Sequence, residues 1–189
     1  MNECYPLVLA SASPQRRATL ERLEVPFTVR ATNVEEIEQG EPETVAVENA
    51  LLKARAACSA DPGETVLGAD TLVTLGGRIY GKPTDEQAAR ETLRALSGET
   101  HAVLSGVALL RRDREQVGLA RTEVLFRQCS EELIDWYVAS GEWRGRAGGY
   151  AIQGIGAVLV REIRGDYENV VGLPVAKLMD MAPELFPYQ

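Results

Sequence analysis

The stretch Leu7–Leu23, LVLASASPQRRATLERL, constrains the fold more than any other part of the chain. Leu7-Val8-Leu9-Ala10 is a short uninterrupted apolar run, the pattern of a strand buried on both faces. Three small residues follow, Ser11-Ala12-Ser13, and then Pro14, whose fixed φ suits the first position of a helix. Ser13 is placed to cap that helix, and Leu20 and Leu23 give it an apolar edge. A buried strand that feeds a helix through small residues is an α/β unit. Its turn leaves unpaired N–H groups and the positive end of the helix dipole facing outward. Arg16 and Arg17 stand in the first turn, where the dipole disfavours cations. Two accounts fit them: an anion held between them, or two solvated arginines on a surface helix.

The 189 residues suit a single domain, residues 1–189, with a sizeable core. No apolar run approaches membrane-spanning length, and MNECYPLVLAS lacks a basic segment followed by a long apolar one. The expectation is a cytoplasmic protein without a membrane partner. The formal charge of −8 argues against a nucleic-acid partner. A local basic cleft can still receive a small anion against that field. Cys4, Cys58 and Cys129 are odd in number and form no CxxC pair, which suits a reducing compartment and argues against structural zinc. His101 is the sole histidine, so any mechanism needing two histidines is excluded. A metal would have to be held by carboxylates and water, which favours Mg²⁺ or Mn²⁺.

Along the chain, Pro26–Arg30 alternates like a short strand, and Ala31–Glu43 is an acidic loop. Thr44 is expected to cap a helix running to about Ala60, with Ala46, Ala50, Lys53, Ala54 and Ala57 at helical spacing. Lys53 then lies on the small-residue face. Either its stem snorkels along the packing surface or its ammonium points into a site. Thr65–Val73 (TVLGADTLV) has the composition of a buried strand, with Asp70 in its middle. A carboxylate there is costly unless it is paired, metal-bound or at an exposed strand end.

Gly76-Gly77 predicts a hairpin turn leading to Gly81-Lys82-Pro83. The glycine and lysine spacing imitates a P-loop, but Pro83 stands where Ser or Thr must bind magnesium, and proline pushes Lys82 out of helical geometry. Lys82 can still bind phosphate, though not as a P-loop lysine. Thr84 with Gln87 suggests a capping box for a helix ending near Leu96. Two long antiparallel strands are expected over Thr100–Leu110 and Gln116–Arg127, then a helix capped by Ser130. In Arg146–Gly154 (RAGGYAIQG), adjacent glycines permit close approach of a ligand or another backbone, and Gln153 offers a paired donor and acceptor. A strand over Ala157–Ile163, a loop over Gly165–Gly172 and a helix opened by Pro174 complete the chain.

Taken in order, Leu9–Arg17 (LASASPQRR), Gly68–Thr71 (GADT), Gly81–Pro83 (GKP), Leu96–Gly98 (LSG), Gly148–Gly154 (GGYAIQG) and Gly165–Pro174 (GDYENVVGLP) resemble the Maf family of nucleoside triphosphate pyrophosphatases. The resemblance implies an α/β fold like that of inosine triphosphatases: a mixed elongated sheet with flanking helices and two lobes around a deep cleft. It implies hydrolysis between the α and β phosphates of a nucleoside triphosphate, with a divalent cation, Mg²⁺ or Mn²⁺, as cofactor. By the same resemblance Asp70 matches the catalytic carboxylate, acting as general base or metal ligand. Ser11, Arg16, Lys53 and Lys82 match substrate-binding residues, and Glu36 matches an acidic position near the metal. A homodimer is left open.

Gln15, Thr71 and Gln153 match positions that bear on base choice in that family. Thr71 and Gln153 agree with the branch acting on dTTP and UTP. Gln15 departs from it, since that branch usually carries arginine there. The expected substrates are dTTP and UTP, with CTP or modified pyrimidine nucleotides next. The alternatives are the same reaction on 7-methyl-GTP or another modified nucleotide, and a nucleotide-responsive cell-division regulator.

Overall fold

The computed structural model describes residues 6–59, 63–112 and 114–188. Cys4, one of the three cysteines, and Ala60, the expected end of a helix, lie outside them. The strands are β1 (Leu7–Leu9), β2 (Phe27–Val29), β3 (Thr65–Leu75), β4 (Arg78–Tyr80), β5 (Thr100–Arg111), β6 (Arg114–Phe126) and β7 (Val160–Arg164). The helices are α1 (Pro14–Arg22), α2 (Pro42–Ala57), α3 (Glu86–Leu96), α4 (Glu131–Ala139), α5 (Tyr167–Val171) and α6 (Val175–Met181). All strands join one mixed sheet in the order β2-β1-β3-β5-β6-β7, with β4 attached to β3. β1 runs parallel to β2 and β3, and the other pairs are antiparallel. The expected mixed α/β architecture is therefore found. No helix among the described residues is long and apolar enough to cross a membrane.

The sheet forks at β3. β1 pairs with Thr65–Leu67, and the Ala10 N–H extends that ladder by one bond to the Leu67 carbonyl, at 2.8 Å. β4 pairs with Val73–Leu75 on the same side. Between them, residues 68–72 pair only with β5 among the described residues. Both faces of β3 consequently reach the gap. Asp70 shares a face with Leu72 and Gly106, against α2, while Thr71 and Val73 point to the other face.

Helix α2 lies unusually close to the sheet. A Cβ on Gly68 would collide with the Ala50 carbonyl oxygen, and one on Gly106 with that of Ala46. Glycine on the sheet and Ala46, Ala50, Ala54 and Ala57 on the helix let the two backbones approach. Asn49 is buried on that same helical face. The long side chains on it thus reach the sheet. On the opposite face Val73, Leu93, Leu96, Val103, Phe126 and Ile134 form the largest cluster. Burying each such side chain contributes roughly 1.5–3 kcal/mol.

Several local expectations are corrected. Helix α2 is capped by Glu41, which accepts from the Thr44 N–H at 2.8 Å, so Thr44 lies in the first turn and the helix ends at Ala57. Asp85, not Thr84, caps α3, because its carboxylate reaches the Ala88 N–H at 2.8 Å. Residues Ile155–Leu159 form a 3₁₀ turn and the strand starts only at Val160. The segment expected as a loop over Gly165–Gly172 contains α5, capped by Asp166. The Gly76-Gly77 hairpin is as expected, with φ of +59° and +82°.

Candidate active site

The turn between β1 and α1 forms one wall. Ser13 caps α1, its hydroxyl accepting from the Arg16 N–H at 3.4 Å, with Pro14 at the first helical position. The two arginines of that turn diverge. Arg16 is buried and donates to the Gly172 carbonyl at 2.9 Å, Ser11 Oγ at 3.0 Å and Thr71 Oγ1 at 3.2 Å. Arg17 is exposed and pairs with Glu21 at 2.7 Å, so the two arginines do not flank a common anion site and only Arg16 faces the cleft. Burial lowers the pKa of Arg16, while the charges of Asp70 and Glu36 oppose that shift. The hydroxyl of Thr71 is shared further with Ser105 Oγ at 2.8 Å and the Gly172 carbonyl at 3.2 Å.

Helix α2 supplies the second wall. Lys53 Nζ donates to Asp70 Oδ1 at 2.6 Å and pairs with Glu36 Oε1 at 2.7 Å. Its ammonium therefore points into the site rather than snorkelling away. Asn49 donates to Asp70 Oδ2 at 3.2 Å and to the Ile37 carbonyl at 3.0 Å, and accepts from the Ile37 N–H at 2.8 Å. One amide thus ties the acidic loop after β2 to the buried carboxylate. Burial raises the pKa of Glu36, but its hydrogen bond to Lys53 and the charges of Lys53, Lys82 and Arg16 leave it lowered.

The segments Gly81–Pro83 and Arg146–Gly149 close the far side. The Gly148 N–H donates to the Gly81 carbonyl at 3.1 Å, and Gly148 at φ +67° lies so close to Val73 that a Cβ there would sit 2.8 Å from its methyl. Glycine is required on both counts. Beyond it, the Tyr137 hydroxyl accepts from the Ala151 N–H at 3.2 Å, and Glu142 accepts from the Ile155 and Gly156 N–H groups at 3.0 and 2.8 Å. These bonds shape the turn that presents exposed Gln153. His101 is not part of the site. It is buried between Phe126 and Tyr150, its Nε2 2.9 Å from the Tyr150 hydroxyl, and burial pushes its pKa down to about 4.

These walls enclose a cleft of about 370 Å³ at the fork in β3. Nine residues singled out from the sequence line it: Ser11, Gln15 and Arg16 from the first turn, Glu36 and Lys53, Asp70 and Thr71 from β3, then Lys82 and Gln153. Four cationic side chains face two carboxylates there, in a chain of net charge −8. The sequence offered no pointer to Asn49, Thr32 or Ser105, whose importance depends on contacts distant in the chain. Arg146 is the fourth cation, and its sequence context gives no sign of a role. Thr32 Oγ1 and Arg146 Nε are buried without a hydrogen-bond partner among the described residues, two unmet polar atoms at the cleft.

Fold and cleft together define a mixed α/β protein with a cation-lined cleft opening where its sheet forks. The chain belongs to the Maf-like protein family, whose model matches residues 6–185. It is 44% identical to a dTTP/UTP pyrophosphatase of Pyrococcus furiosus, covering 95% of this chain and 96% of that one. A dTTP/UTP pyrophosphatase of Bacillus mycoides is 46% identical, with 92% of each chain covered. Among solved structures, a Vibrio cholerae protein matches 97% of this chain and 99% of its own at 14% identity, with a TM-score of 0.42.

Proposed function

We propose that this protein is a nucleoside triphosphate pyrophosphatase acting on dTTP and UTP. The observation that carries it is Lys53 bridging Asp70 and Glu36 at the mouth of a buried carboxylate, beside Arg16, in a cleft of net positive lining. The names of the Pyrococcus and Bacillus relatives point to the same substrates. Water attacks the α phosphorus in line, the bond from that phosphorus to the oxygen bridging to the β phosphorus breaks, and monophosphate and pyrophosphate leave. Asp70, buried but reached from the cleft, accepts the proton of the attacking water. Lys53, Lys82 and Arg16 stabilise the charge that grows on the phosphate oxygens, and fixing them beforehand removes much of the reorganisation. Arg16 is held by Ser11, Thr71 and Gly172, so its guanidinium is already in place.

The residues fit a divalent cation of the magnesium type. Asp70 and Glu36 are hard oxygen donors that share Lys53, and one or two carboxylates completed by substrate phosphates is the usual arrangement for Mg²⁺. No group of three acidic, histidine or cysteine ligands gathers among the described residues. A cation held by Asp70 and Glu36 would supply charge neutralisation on the phosphates. Gln153 and Gln15 face the base, where an amide can pair with a pyrimidine carbonyl and ring N–H. The proposed compartment is the cytoplasm. A panel of nucleoside triphosphates with Mg²⁺ or Mn²⁺, assayed directly for pyrophosphate, tests the proposal. Pyrophosphate released fastest from dTTP and UTP is expected. Orthophosphate as the sole product would redirect the assignment to a phosphatase, and a preference for 7-methyl-GTP would overturn the base choice.

A further inference from the structure

We propose that Arg146 binds the pyrophosphate half of the substrate, forming with Lys82 a two-cation end of the cleft. The inference rests on the pyrophosphatase assignment for the identity of the ligand, but on its own observations for the site. Arg146 lines the cleft, and its Nε is buried without a hydrogen-bond partner. Its side chain makes no hydrogen bond or ion pair among the described residues. Other arginines of this acidic chain take carboxylates: Arg55 holds Glu115, Arg90 holds Asp135 and Arg94 holds Glu131. A guanidinium withheld from that pairing and partly buried leaves a charged donor unmet, which folding alone does not favour. An anionic ligand in the cleft supplies the counter-charge to that guanidinium.

The position of Arg146 is fixed by the backbone beside it. Its N–H group donates to the Trp143 carbonyl at 3.1 Å, and two residues on the Gly148 N–H donates to the Gly81 carbonyl, also at 3.1 Å. Gly149 lies against Pro83. The segments carrying Arg146 and Lys82 are therefore pinned to each other. They approach from the sheet face bearing Val73, whereas Lys53 comes from α2 on the face bearing Asp70. Cations from both faces then bracket a ligand lying across the fork. A planar guanidinium offers parallel donors that match the paired oxygens of a phosphate, which an ammonium cannot reproduce. In the bound triphosphate the β and γ phosphates, which leave as pyrophosphate, together carry more charge than the α phosphate, and suit the end where two cations meet.

Calorimetric titration of inorganic pyrophosphate with Mg²⁺ into the unmodified protein, Arg146→Met and Arg146→Lys tests this. Met keeps the length of the stem, and urea midpoints establish that both variants fold. The expected result is a tenfold or greater loss of pyrophosphate affinity in Arg146→Met and a partial recovery in Arg146→Lys. Product inhibition by pyrophosphate should weaken by the same factor, while the ranking of dTTP, UTP and CTP is unchanged. Unaltered pyrophosphate affinity in Arg146→Met overturns the inference, as does failure of the unmodified protein to bind pyrophosphate. A shift in base ranking without loss of pyrophosphate affinity overturns it too, moving Arg146 to the nucleoside end. Absence of turnover on every nucleoside triphosphate would sink the pyrophosphatase assignment, while the titration would still decide the role of Arg146.

Discussion

Lys53 Nζ lies 2.6 Å from Asp70 Oδ1, an ion pair formed between a helix face of alanines and the middle of an apolar strand. Both partners are largely buried, and breaking such a pair from one side leaves the other charge uncompensated. The asymmetry of consequences makes Asp70→Asn informative. Asn keeps the shape and a carbonyl acceptor for Lys53, yet loses basicity and most metal affinity. Turnover should fall by about 10²-fold or more, with the urea transition of a folded protein retained. Near-normal kcat in a folded Asp70→Asn variant would remove Asp70 from the chemistry.

Asn49 gives a second prediction. Its amide grips both polar atoms of Ile37 and one oxygen of Asp70, so one side chain fixes the acidic loop against the carboxylate. Asn49→Ala should cost about 1–3 kcal/mol of stability through unmet buried groups. It should also speed hydrogen exchange at the Ile37 amide and lower kcat more than it raises KM. Exchange at Ile37 unchanged from the unmodified protein would show that the loop is held elsewhere.

Base choice gives the third. Gln153 sits on a turn whose Ile155 and Gly156 N–H groups are held by Glu142. Gln153→Ala should blunt discrimination between pyrimidines by about 1–3 kcal/mol while sparing pyrophosphate affinity. Glu142→Ala should do so indirectly, and Glu142→Gln, which keeps one carbonyl acceptor, should recover part. Gln15→Arg should sharpen the preference for dTTP and UTP over CTP. kcat/KM for the three nucleotides, measured on all four variants, checks the set.

The legible parts of the chain were those governed by neighbours in sequence. Ser13-Pro14 announced α1, Gly76-Gly77 announced the hairpin, and an aspartate inside TVLGADTLV announced a buried charge in need of a partner, which Lys53 supplies. The caps of α2 and α3 differ from those expected because an acidic side chain close by in sequence competed successfully: Glu41 took the Thr44 N–H, and Asp85 took that of Ala88. Helix α5 escaped notice because a segment as short as Tyr167–Val171 shows no helical period, and its Asp166 cap lies among residues typical of a loop. Arg16 and Arg17 looked alike in sequence. Only the fold distinguishes them, since Arg16 meets Thr71 and Gly172 from far along the chain and Arg17 meets its own helix. Asn49 carried no signal for the same reason: its partners Ile37 and Asp70 become neighbours only when α2 settles onto Gly68 and Gly106.

The last prediction concerns pH and the sole histidine. His101 is 1% exposed, and burial brings its pKa from 6.5 to about 4. Between those values the unfolded chain carries a proton on this residue and the folded protein does not. Stability therefore rises with pH across that window and is lost as pH falls from 6.5 toward 4. A full proton difference corresponds to about 1.4 kcal/mol per pH unit, so about 2–3 kcal/mol should disappear between pH 6.5 and 4.5. Carboxylates contribute lower down. Glu64 is held at about 2 by Arg30 and Ser59, and Glu36 also lies below its ordinary value. The upper half of the acid limb thus belongs to His101. Urea midpoints taken at half-unit intervals should give a sloping line for the unmodified protein and a flatter one for His101→Gln, whatever that variant's absolute stability. Equal slopes in the two proteins would mean that the buried imidazole takes up its proton without unfolding.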